Sequence, residues 1–241
     1  MIKLSSYKNR VVVVTGGNGN MGRAILKKFK SYGAKCFAVD LKGSPNVIKC
    51  NLTNEKELKT VFENISKLNK ITDVIHAAGT IVVGTIKNST LEEFNNSIDN
   101  NLKTAYLVGK ISSTKIVNGG SLIFISSQAA LKGAKYWGIY SLSKAAILRL
   151  GETLANELSN KKIRVNSVCP GDVEGNMMKY AIKKIAKISN KKESNIYNNY
   201  ISRIPLKRFA KPNEIADACF YLSNSKYITG TTHLVDGGEN S

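Results

Sequence analysis

Short apolar segments rich in β-branched residues alternate along this chain with longer amphipathic segments. The apolar segments have the length of strands and run over Val11 to Thr15, Lys35 to Val39, Asp73 to His76, Ser121 to Ser126 and Ile163 to Cys169. Such alternation predicts βαβ units and therefore a parallel sheet. Segments that are apolar throughout, such as Leu122-Ile-Phe-Ile125, are typical of strands covered on both faces. The pattern predicts an α/β fold in which helices flank both faces of a doubly wound parallel sheet.

One long segment, Asp172 to Pro205, departs from this alternation because it follows a strand yet carries a helical pattern. Its apolar residues at helical spacing are Met178, Ala181, Ile182, Ile185 and Ile188, and opposite them stand Lys179, Lys183, Lys184, Lys187 and Lys191. This pattern predicts a basic amphipathic helix. Insertions after the carboxyl end of a strand often close over a substrate, so we expect a substrate lid at about 172–205 within one domain spanning 1–241. A helix lying on a membrane surface is the alternative.

The composition is that of an ordinary globular domain. The chain has 241 residues, of which 42% are hydrophobic, and it contains no apolar run near the ~20 residues of a membrane span. We therefore expect a soluble, cytoplasmic protein with no membrane partner. The four cysteines are scattered without CxxC spacing, which favours reduced thiols, and two separated histidines give no basis for a metal site.

The chain is strongly basic. It has 36 Lys and Arg residues against 17 Asp and Glu, a formal net charge of +19. Such a charge permits nucleic-acid, acidic-metabolite or acidic-protein partners. The lysines are spread along the whole chain, and basic tracts interleaved with aromatic residues are missing. We therefore expect a solvated basic surface and no nucleic-acid partner.

A glycine-rich turn, Thr15-Gly-Gly-Asn-Gly-Asn-Met-Gly22, joins the first predicted strand to the first helix. It contains G-x-G-x-x-G, read from Gly17, Gly19 and Gly22, and it also fits T-G-x-x-x-G-x-G with Asn20 in place of the middle glycine. Either register brings the backbone close to a pyrophosphate at a helix N-terminus, where free N–H groups favour anions. The sheet is therefore predicted to be of the Rossmann type.

Asp40 ends the second predicted strand, 24 residues beyond Gly16. A carboxylate at this place accepts hydrogen bonds from both ribose hydroxyls and repels a 2′-phosphate. The sequence therefore favours NAD, with NADP possible because Lys42 lies close enough to weaken the preference.

Tyr140 and Lys144 are four residues apart in a predicted helix, and Ser127 precedes Tyr140 by thirteen residues. Positions i and i+4 share a helix face, so the ammonium group is expected to lower the pKa of the phenol. This pair predicts a general acid/base suited to hydride transfer with a nicotinamide cofactor.

With these residues in place, the chain resembles the short-chain dehydrogenase/reductase family, nearly from end to end. Further matching segments are Asn101-Leu102-Lys103, Cys169-Pro-Gly171, Pro205-Leu-x-Arg-Phe-x-x-Pro212, Thr229-Gly230 and Val235-Asp-Gly-Gly238. The resemblance implies an NAD(P)-dependent oxidoreductase that interconverts a secondary alcohol and a ketone. It also implies a catalytic tetrad of Asn101, Ser127, Tyr140 and Lys144. In this tetrad Tyr140 exchanges a proton, Ser127 bonds the substrate oxygen, Lys144 binds the nicotinamide ribose and Asn101 holds a relay water.

The resemblance, together with the turn and Asp40, also gives a set of expected cofactor contacts. They are Gly16, Asn18, Gly19, Asn20, Met21, Gly22, Asp40, Asn51, Leu52, Ala77, Ala78, Gly79, Tyr140, Lys144, Pro170, Gly171 and Val173. Several positions depart from the family pattern. Ala77 stands where the family usually has Asn, and Asn51-Leu52 stands where an acidic residue is common. Gly175 falls where a threonine is common, and His76 is interpreted as structural.

Two alternative functions remain open. One is a 3-oxoacyl-(acyl-carrier-protein) reductase, since an acidic carrier fits a basic surface, and the other is a non-catalytic dinucleotide-binding redox sensor. The family resemblance implies a homotetramer or homodimer formed through the helices of Asn101 and Tyr140 and the C-terminal strand. Gln128 to Tyr136, Trp137 and the lysine-rich lid are expected to shape the substrate pocket, and the lysines suggest a small anionic substrate.

Overall fold

The computed structural model describes residues 7–240, and its strands form one parallel sheet in the order β3-β2-β1-β4-β5-β6-β7. The strands are β1 Val11–Thr15, β2 Lys35–Asp40, β3 Val47–Lys49, β4 Ile71–His76, β5 Ser121–Ile125, β6 Arg164–Pro170 and β7 Thr232–Val235. The predicted α/β fold class is confirmed, and the five strands predicted from the apolar segments lie within two residues of their observed ends. The short strands β3 and β7 were not among those segments, because neither is buried along its length.

Eight α-helices connect and cover these strands in the described part of the chain. They are α1 Asn20–Ser31, α2 Glu55–Leu68, α3 Leu91–Ser97, α4 Thr104–Ser112, α5 Gly138–Glu157, α6 Asn176–Ser189, α7 Glu193–Arg203 and α8 Pro212–Asn224. A π-helical turn, Ile98–Lys103, continues α3 into α4. None of the helices within residues 7–240 is both long and apolar enough to cross a membrane.

The two faces of the sheet are buried under different helices. Alternate residues of β1 point to opposite faces, so that Val13 packs in one apolar cluster with Phe62 of α2, while Val12 packs in another with Ile25 of α1 and Ile215 of α8. All five residues of β1 are buried. This two-sided burial explains why its sequence is apolar throughout instead of alternating.

The segment predicted as a lid contains two helices, α6 and α7, where the sequence pattern predicted one. Asn190 separates them with a left-handed backbone (φ 52°), which a helix interior does not accommodate. Four of the five predicted apolar residues of α6 are buried, whereas Ile188 is 41% exposed near the end of the helix. Met178 and Ile182 pack in a third apolar cluster with Tyr200 of α7.

A buried ion pair joins the N-terminal segment to the sheet and to α8. Asp73 of β4 is fully buried, and its Oδ2 accepts hydrogen bonds from Arg10 Nε (2.9 Å) and Thr72 Oγ1 (2.7 Å). Its Oδ1 accepts from Arg10 Nη2 and from Ser223 Oγ, the latter at 2.6 Å. Arg164 donates to the carbonyl oxygens of Leu222 and Ser223 next to this group. The network ties the end of α8 to the sheet.

Replacing Asp73 with alanine is expected to lower the free energy of unfolding by about 3–5 kcal/mol, because Arg10 loses its buried partner. Urea unfolding measures this change. The matched control is Asp217→Ala, which removes an ion pair between Lys28 and an Asp217 side chain that is 57% exposed. This change is expected to lower the free energy of unfolding by less than ~1 kcal/mol. Equal losses in the two variants would show that the buried network contributes no more than a surface pair.

Candidate active site

The turn between β1 and α1 is packed backbone against backbone. Gly16 has φ 74°, and a Cβ on it would lie 2.5 Å from the backbone nitrogen of Ala78, just beyond β4. A Cβ on Gly22 would lie 2.2 Å from the carbonyl oxygen of Gly16. Any side chain at either position would therefore push the turn away from the sheet. The glycines hold α1 with its N-terminus at the carboxyl end of the sheet, between β1 and β4.

A cleft of about 520 Å³ opens at this place. The first turn of α1 contains no acidic residue, and its N-cap, Gly19, offers no side chain to satisfy the free N–H groups. Arg23 also lines the cleft and donates from Nε to the carbonyl oxygen of Asn18 (2.7 Å). Free N–H groups at a helix start, next to a guanidinium group, suit a pyrophosphate. The cradle that the glycines leave open therefore fits a dinucleotide.

Most of the residues predicted to contact a cofactor line this one cleft. They are Gly16, Asn18, Gly19, Asn20, Met21, Gly22, Asp40, Leu52, Ala77, Ala78, Gly79, Tyr140, Pro170, Gly171 and Val173. Ser127 lines it as well, whereas Asn51, Asn101 and Lys144 do not. The cleft therefore brings the glycine-rich turn, the end of β2 and the Ser127–Tyr140 pair to one surface.

Asp40 is fixed at the cleft wall by its neighbours. Its Oδ2 accepts from the backbone N–H of Asn18 (3.0 Å), and its Oδ1 accepts weakly from that of Lys42 (3.4 Å). The Asn18 side chain in turn donates to the carbonyl oxygen of Lys42 (2.6 Å). The carboxylate is held at the end of β2 with lone pairs left for further donors.

Asn51 does not line the cleft, although the sequence analysis places it among the expected cofactor contacts. Its Oδ1 accepts from both the backbone N–H (3.0 Å) and the hydroxyl (2.8 Å) of Thr53. This local turn, which leads into α2, uses the amide oxygen and keeps the side chain exposed. Leu52, which does line the cleft, is the one of the two residues placed for contact.

Ser127 and Tyr140 lie side by side in the cleft lining, and Lys144 lies behind them. Hydrogen bonding to the Ser127 side chain lowers the pKa of Tyr140, so the two hydroxyls act on one another. Lys144 is buried, and its Nζ donates to the carbonyl oxygen of Ile125 (3.0 Å) and lies 5.8 Å from the centre of the Tyr140 ring. A Cβ on Gly79 would lie 3.2 Å from this Nζ. The glycine therefore leaves the room above the ammonium group free of side chains.

Burial dominates the pKa values of Tyr140 and Lys144. It is the main reason that the pKa of Tyr140 is raised to about 12, with smaller contributions from Cys169 and Asp172 and an opposing one from Ser127. Burial also lowers the pKa of Lys144 to about 8. Desolvation therefore disfavours the charged form of each group, and the predicted lowering of the phenol pKa by Lys144 together with the oxidised cofactor stays a prediction. An additional positive charge at the phenol is needed before it ionises near neutral pH.

Asn101 lies in the π-helical turn, fully buried, and its side chain is engaged on both sides. Its Oδ1 accepts from the backbone N–H of Thr80 (2.9 Å), while its Nδ2 donates to the carbonyl oxygen of Thr80 (3.1 Å) and to Ser143 Oγ (3.1 Å). The amide thus ties the segment after β4 to α5. Its predicted hold on a relay water stays a prediction, and the side chain is committed to these protein contacts.

His76 is fully buried at the end of β4, behind the cleft. Its ring nitrogens contact the hydroxyls of Thr15 (2.8 Å) and Thr104 (3.4 Å), and its ring packs edge-on against Phe124. Burial lowers its pKa to about 3, so the imidazole is neutral. These contacts give it a packing role.

Two departures from the family pattern, Asn20 and Gly175, lie next to each other in the lining of the cleft. Gly175 has φ 149°, and a Cβ on it would lie only 2.2 Å from Nδ2 of Asn20. The asparagine amide occupies the room that a side chain at position 175 would need. The absence of a side chain at Gly175 therefore makes room for the side chain of Asn20, which stands where the family pattern has glycine.

The sequence interpretation assigned no role to Asp172, or to the residues that connect α7 and the C-terminal segment to the cleft. Asp172 lines the cleft directly after Gly171, and an acidic residue next to the Pro-Gly turn was the signal for it. Gln128 Nε2 donates to Glu239 (2.8 Å), which also pairs with Arg203 of α7 (3.3 Å). No local pattern in the sequence indicates these long-range contacts.

Comparisons with known proteins agree with this arrangement. A family model described as enoyl-(acyl carrier protein) reductase matches residues 18–240. A human 3-oxoacyl-(acyl-carrier-protein) reductase is 32% identical over 245 residues, covering 95% of this chain and 98% of the human enzyme. A ligand-free aldohexose dehydrogenase from Thermoplasma acidophilum shares 27% identity at a TM-score of 0.87, covering 98% of this chain and 95% of its own. NAD+-bound xylitol dehydrogenase, at 24% identity and a TM-score of 0.91, covers 97% and 100% respectively and shares the fold.

The contact between Asn20 and Gly175 generates a prediction. Gly175→Ala is expected to lower the free energy of unfolding by about 1–3 kcal/mol, because it strains a backbone that favours glycine and collides with the amide. In an Asn20→Gly background the collision disappears, and the loss should shrink by ~0.5 kcal/mol or more. A double-mutant cycle in urea measures the difference. Gly133→Ala is the control, since a Cβ there has no atom within 4 Å. If the effects of Gly175→Ala and Asn20→Gly on the free energy of unfolding are strictly additive, the two residues are not in contact.

Proposed function

The chain belongs to the short-chain dehydrogenase/reductase family and is an NAD(P)-dependent oxidoreductase acting on alcohol and ketone groups, and we propose that it prefers NAD and uses Tyr140 as its general acid/base. The observation that carries this proposal is the single cleft that joins the glycine-rich turn at the start of α1 to the Ser127–Tyr140 pair. A dinucleotide held at the turn and a substrate held at the hydroxyls share this cleft.

Each polar group beneath the cleft has a proposed task. Ser127 donates a hydrogen bond to the substrate oxygen, and the Oη of Tyr140 gives a proton to that oxygen during reduction or takes one during oxidation. The Lys144 Nζ, with Gly79 leaving room above it, donates to the ribose next to the nicotinamide. When bound, the nicotinamide accepts or delivers the hydride at its C4 carbon.

The proton transfer depends on charge. Burial sets the pKa of Tyr140 at about 12, and its own partners do not bring it toward neutrality. The positive charge of the oxidised cofactor, added to the ammonium group of Lys144, is proposed to favour the phenolate. The phenol is then acidic only while the oxidised dinucleotide is bound, which couples alcohol deprotonation to cofactor occupancy.

A second candidate is supported by a specific observation. The human relative that is 32% identical is a 3-oxoacyl-(acyl-carrier-protein) reductase, and the net charge of +19 suits an acidic carrier protein. Competing NADH against NADPH, and then a carrier-linked thioester against free hydroxy compounds, separates the two candidates. No observation on residues 7–240 favours the non-catalytic redox sensor, because hydroxyls and an ammonium group fill the positions that chemistry requires.

We also propose the assembly and location that the sequence favours. Leu142 of α5 and Tyr106 of α4 are 56% and 50% exposed, and such surface on these two helices supports the proposed homodimer or homotetramer. The four cysteines are free thiols, which suits a reducing cytoplasm. Residues 172–205 are proposed as the substrate lid, since Tyr200 of α7 accepts a hydrogen bond from Trp137 beside Tyr140 (3.0 Å).

Tyr140→Phe tests the acid/base assignment. A screen of sugars, sugar acids, polyols and hydroxyacyl compounds for NADH formation first identifies an alcohol that the wild-type protein oxidises. With that alcohol the variant is expected to lose turnover by roughly 10²- to 10⁴-fold, because the proton acceptor is removed. Its affinity for NADH, measured by calorimetry, should stay near the wild-type value. Tyr227→Phe, at a fully exposed position, serves as the control, and wild-type turnover in Tyr140→Phe would refute the assignment.

Asp40→Ala tests the preference for NAD. Removing the carboxylate takes away an acceptor for the ribose hydroxyls and the charge that repels a 2′-phosphate. We expect kcat/KM for NADH to fall roughly 10- to 100-fold and kcat/KM for NADPH to rise. Asp217→Ala on α8 should leave both constants unchanged. Strong NADPH selectivity of the wild-type protein would contradict the NAD assignment and favour the carrier-protein reductase.

A further inference from the structure

Asp172 is a partly buried acid that the proposed mechanism does not use. It follows Gly171 at the end of β6, and its backbone carbonyl accepts from the N–H of Ala210 (2.9 Å). It lines the same cleft as Tyr140. Its Oδ2 is buried without a hydrogen-bond partner among the described residues. A buried carboxylate oxygen without a donor is unfavourable, and such groups are rare in folded proteins.

The charged and titratable neighbours of Asp172 do not supply the missing donor. Glu239 faces it from the C-terminal segment, Arg203 and Tyr200 face it from α7, and Tyr140 faces it from α5. The guanidinium group of Arg203 pairs with Glu239 at 3.3 Å. Burial, reinforced by Glu239, raises the pKa of Asp172 to about 7. The carboxyl group is therefore partly ionised at neutral pH and short of donors.

The charges around the reacting centre differ from those on the outside of the lid. The charged residues that line the cleft are Arg23, Asp40, Asp172 and Glu174, and no lysine of the described chain is among them. Arg23 and Asp40 lie at the glycine-rich turn and the end of β2. The charged residues that line the cleft after β6, Asp172 and Glu174, are both acidic, which disfavours an anionic substrate beside them. The lysines that suggested one lie on α6 and just after it, and they do not line the cleft.

We infer that Asp172 accepts a hydrogen bond from a second hydroxyl group of the substrate, so that the substrate class is a hydroxyketone and its polyol counterpart. The inference rests on the proposed function, because it places that hydroxyl in the same cleft as the carbonyl oxygen at Ser127 and Tyr140. A hydroxyl supplies the donor that the carboxylate lacks, and it does so without bringing a negative charge to Asp172 and Glu239. A site built around such a bond rejects analogues without the hydroxyl.

Small ketones that differ in one group test this assignment. The probes are hydroxyacetone, acetone, aminoacetone and acetoacetate. On the carbon next to the carbonyl they carry a hydroxyl, a hydrogen, an ammonium and a carboxylate group, respectively. NADH-dependent reduction gives kcat/KM for each. The wild-type protein is expected to prefer hydroxyacetone to acetone by roughly 10- to 100-fold. In Asp172→Ala this ratio should fall to within about threefold of unity. The ratio is the readout, because loss of a charge that raises the pKa of Tyr140 affects the reduction of both ketones alike.

The pH dependence separates hydrogen bonding from packing. The wild-type ratio of hydroxyacetone to acetone should rise as pH increases through about 7, because the deprotonated carboxylate is the stronger acceptor. Taking the ratio cancels the titration of Tyr140 and Lys144, which affects the reduction of both ketones. Asp172→Asn keeps an acceptor of the same shape, so it should retain part of the preference and lose the pH dependence. Asp217→Asn on the surface should change neither.

Other outcomes overturn the inference. They are a ratio that Asp172→Ala leaves intact, a preference of the wild-type protein for aminoacetone or acetoacetate, or reduction of none of these ketones by a protein that oxidises other secondary alcohols. In each case the proposed oxidoreductase stands. If the wild-type protein binds NADH but turns over nothing in this series or in the alcohol screen, the proposed function itself fails.

Discussion

The carbonyl oxygen of Gly16 leaves no room for a side chain at Gly22, and Ala78 leaves none at Gly16. These backbone contacts set the distance between α1 and the end of β4, and the cleft exists because of that distance. The N-terminus of α1 on one side and the Ser127–Tyr140 pair on the other are brought to one surface by the order in which β1, β4 and β5 stand in the sheet. The proposed binding of the dinucleotide and the proposed proton transfer thus depend on one steric constraint.

Desolvation governs the titratable groups around the cleft. Burial raises the pKa of Tyr140 and Asp172 and lowers that of Lys144 and His76, so every one of them is driven toward its neutral form. A site of this kind responds strongly to any charge that enters it, since little water is present to screen the charge. In the proposed mechanism, the charge of the oxidised cofactor and the second hydroxyl group of the substrate complete the electrostatics of the site.

The sequence predicts those parts of the fold that depend on local pattern. The all-apolar strands, the glycine-rich turn and the position of Asp40 follow from neighbouring residues, and the structure places them where the pattern predicts. The pattern alone did not reveal how the surrounding structure uses each group. The turn at Thr53 takes up the oxygen of Asn51, and burial dominates the pKa of Tyr140. The match between Asn20 and Gly175 requires a tertiary contact that neither segment reveals alone.

Trp137 is the sole tryptophan of the chain, and its indole N–H donates to Tyr200 on α7 while its ring lies 5.6 Å from that of Tyr140. Indole emission depends on hydrogen bonding and on nearby rings, so the native protein carries an intrinsic optical reporter between α7 and Tyr140. Motion of α7 would alter its intensity or colour without any label being attached. Stopped-flow fluorescence of the unmodified chain can therefore test in real time whether α7 moves as the proposed lid would.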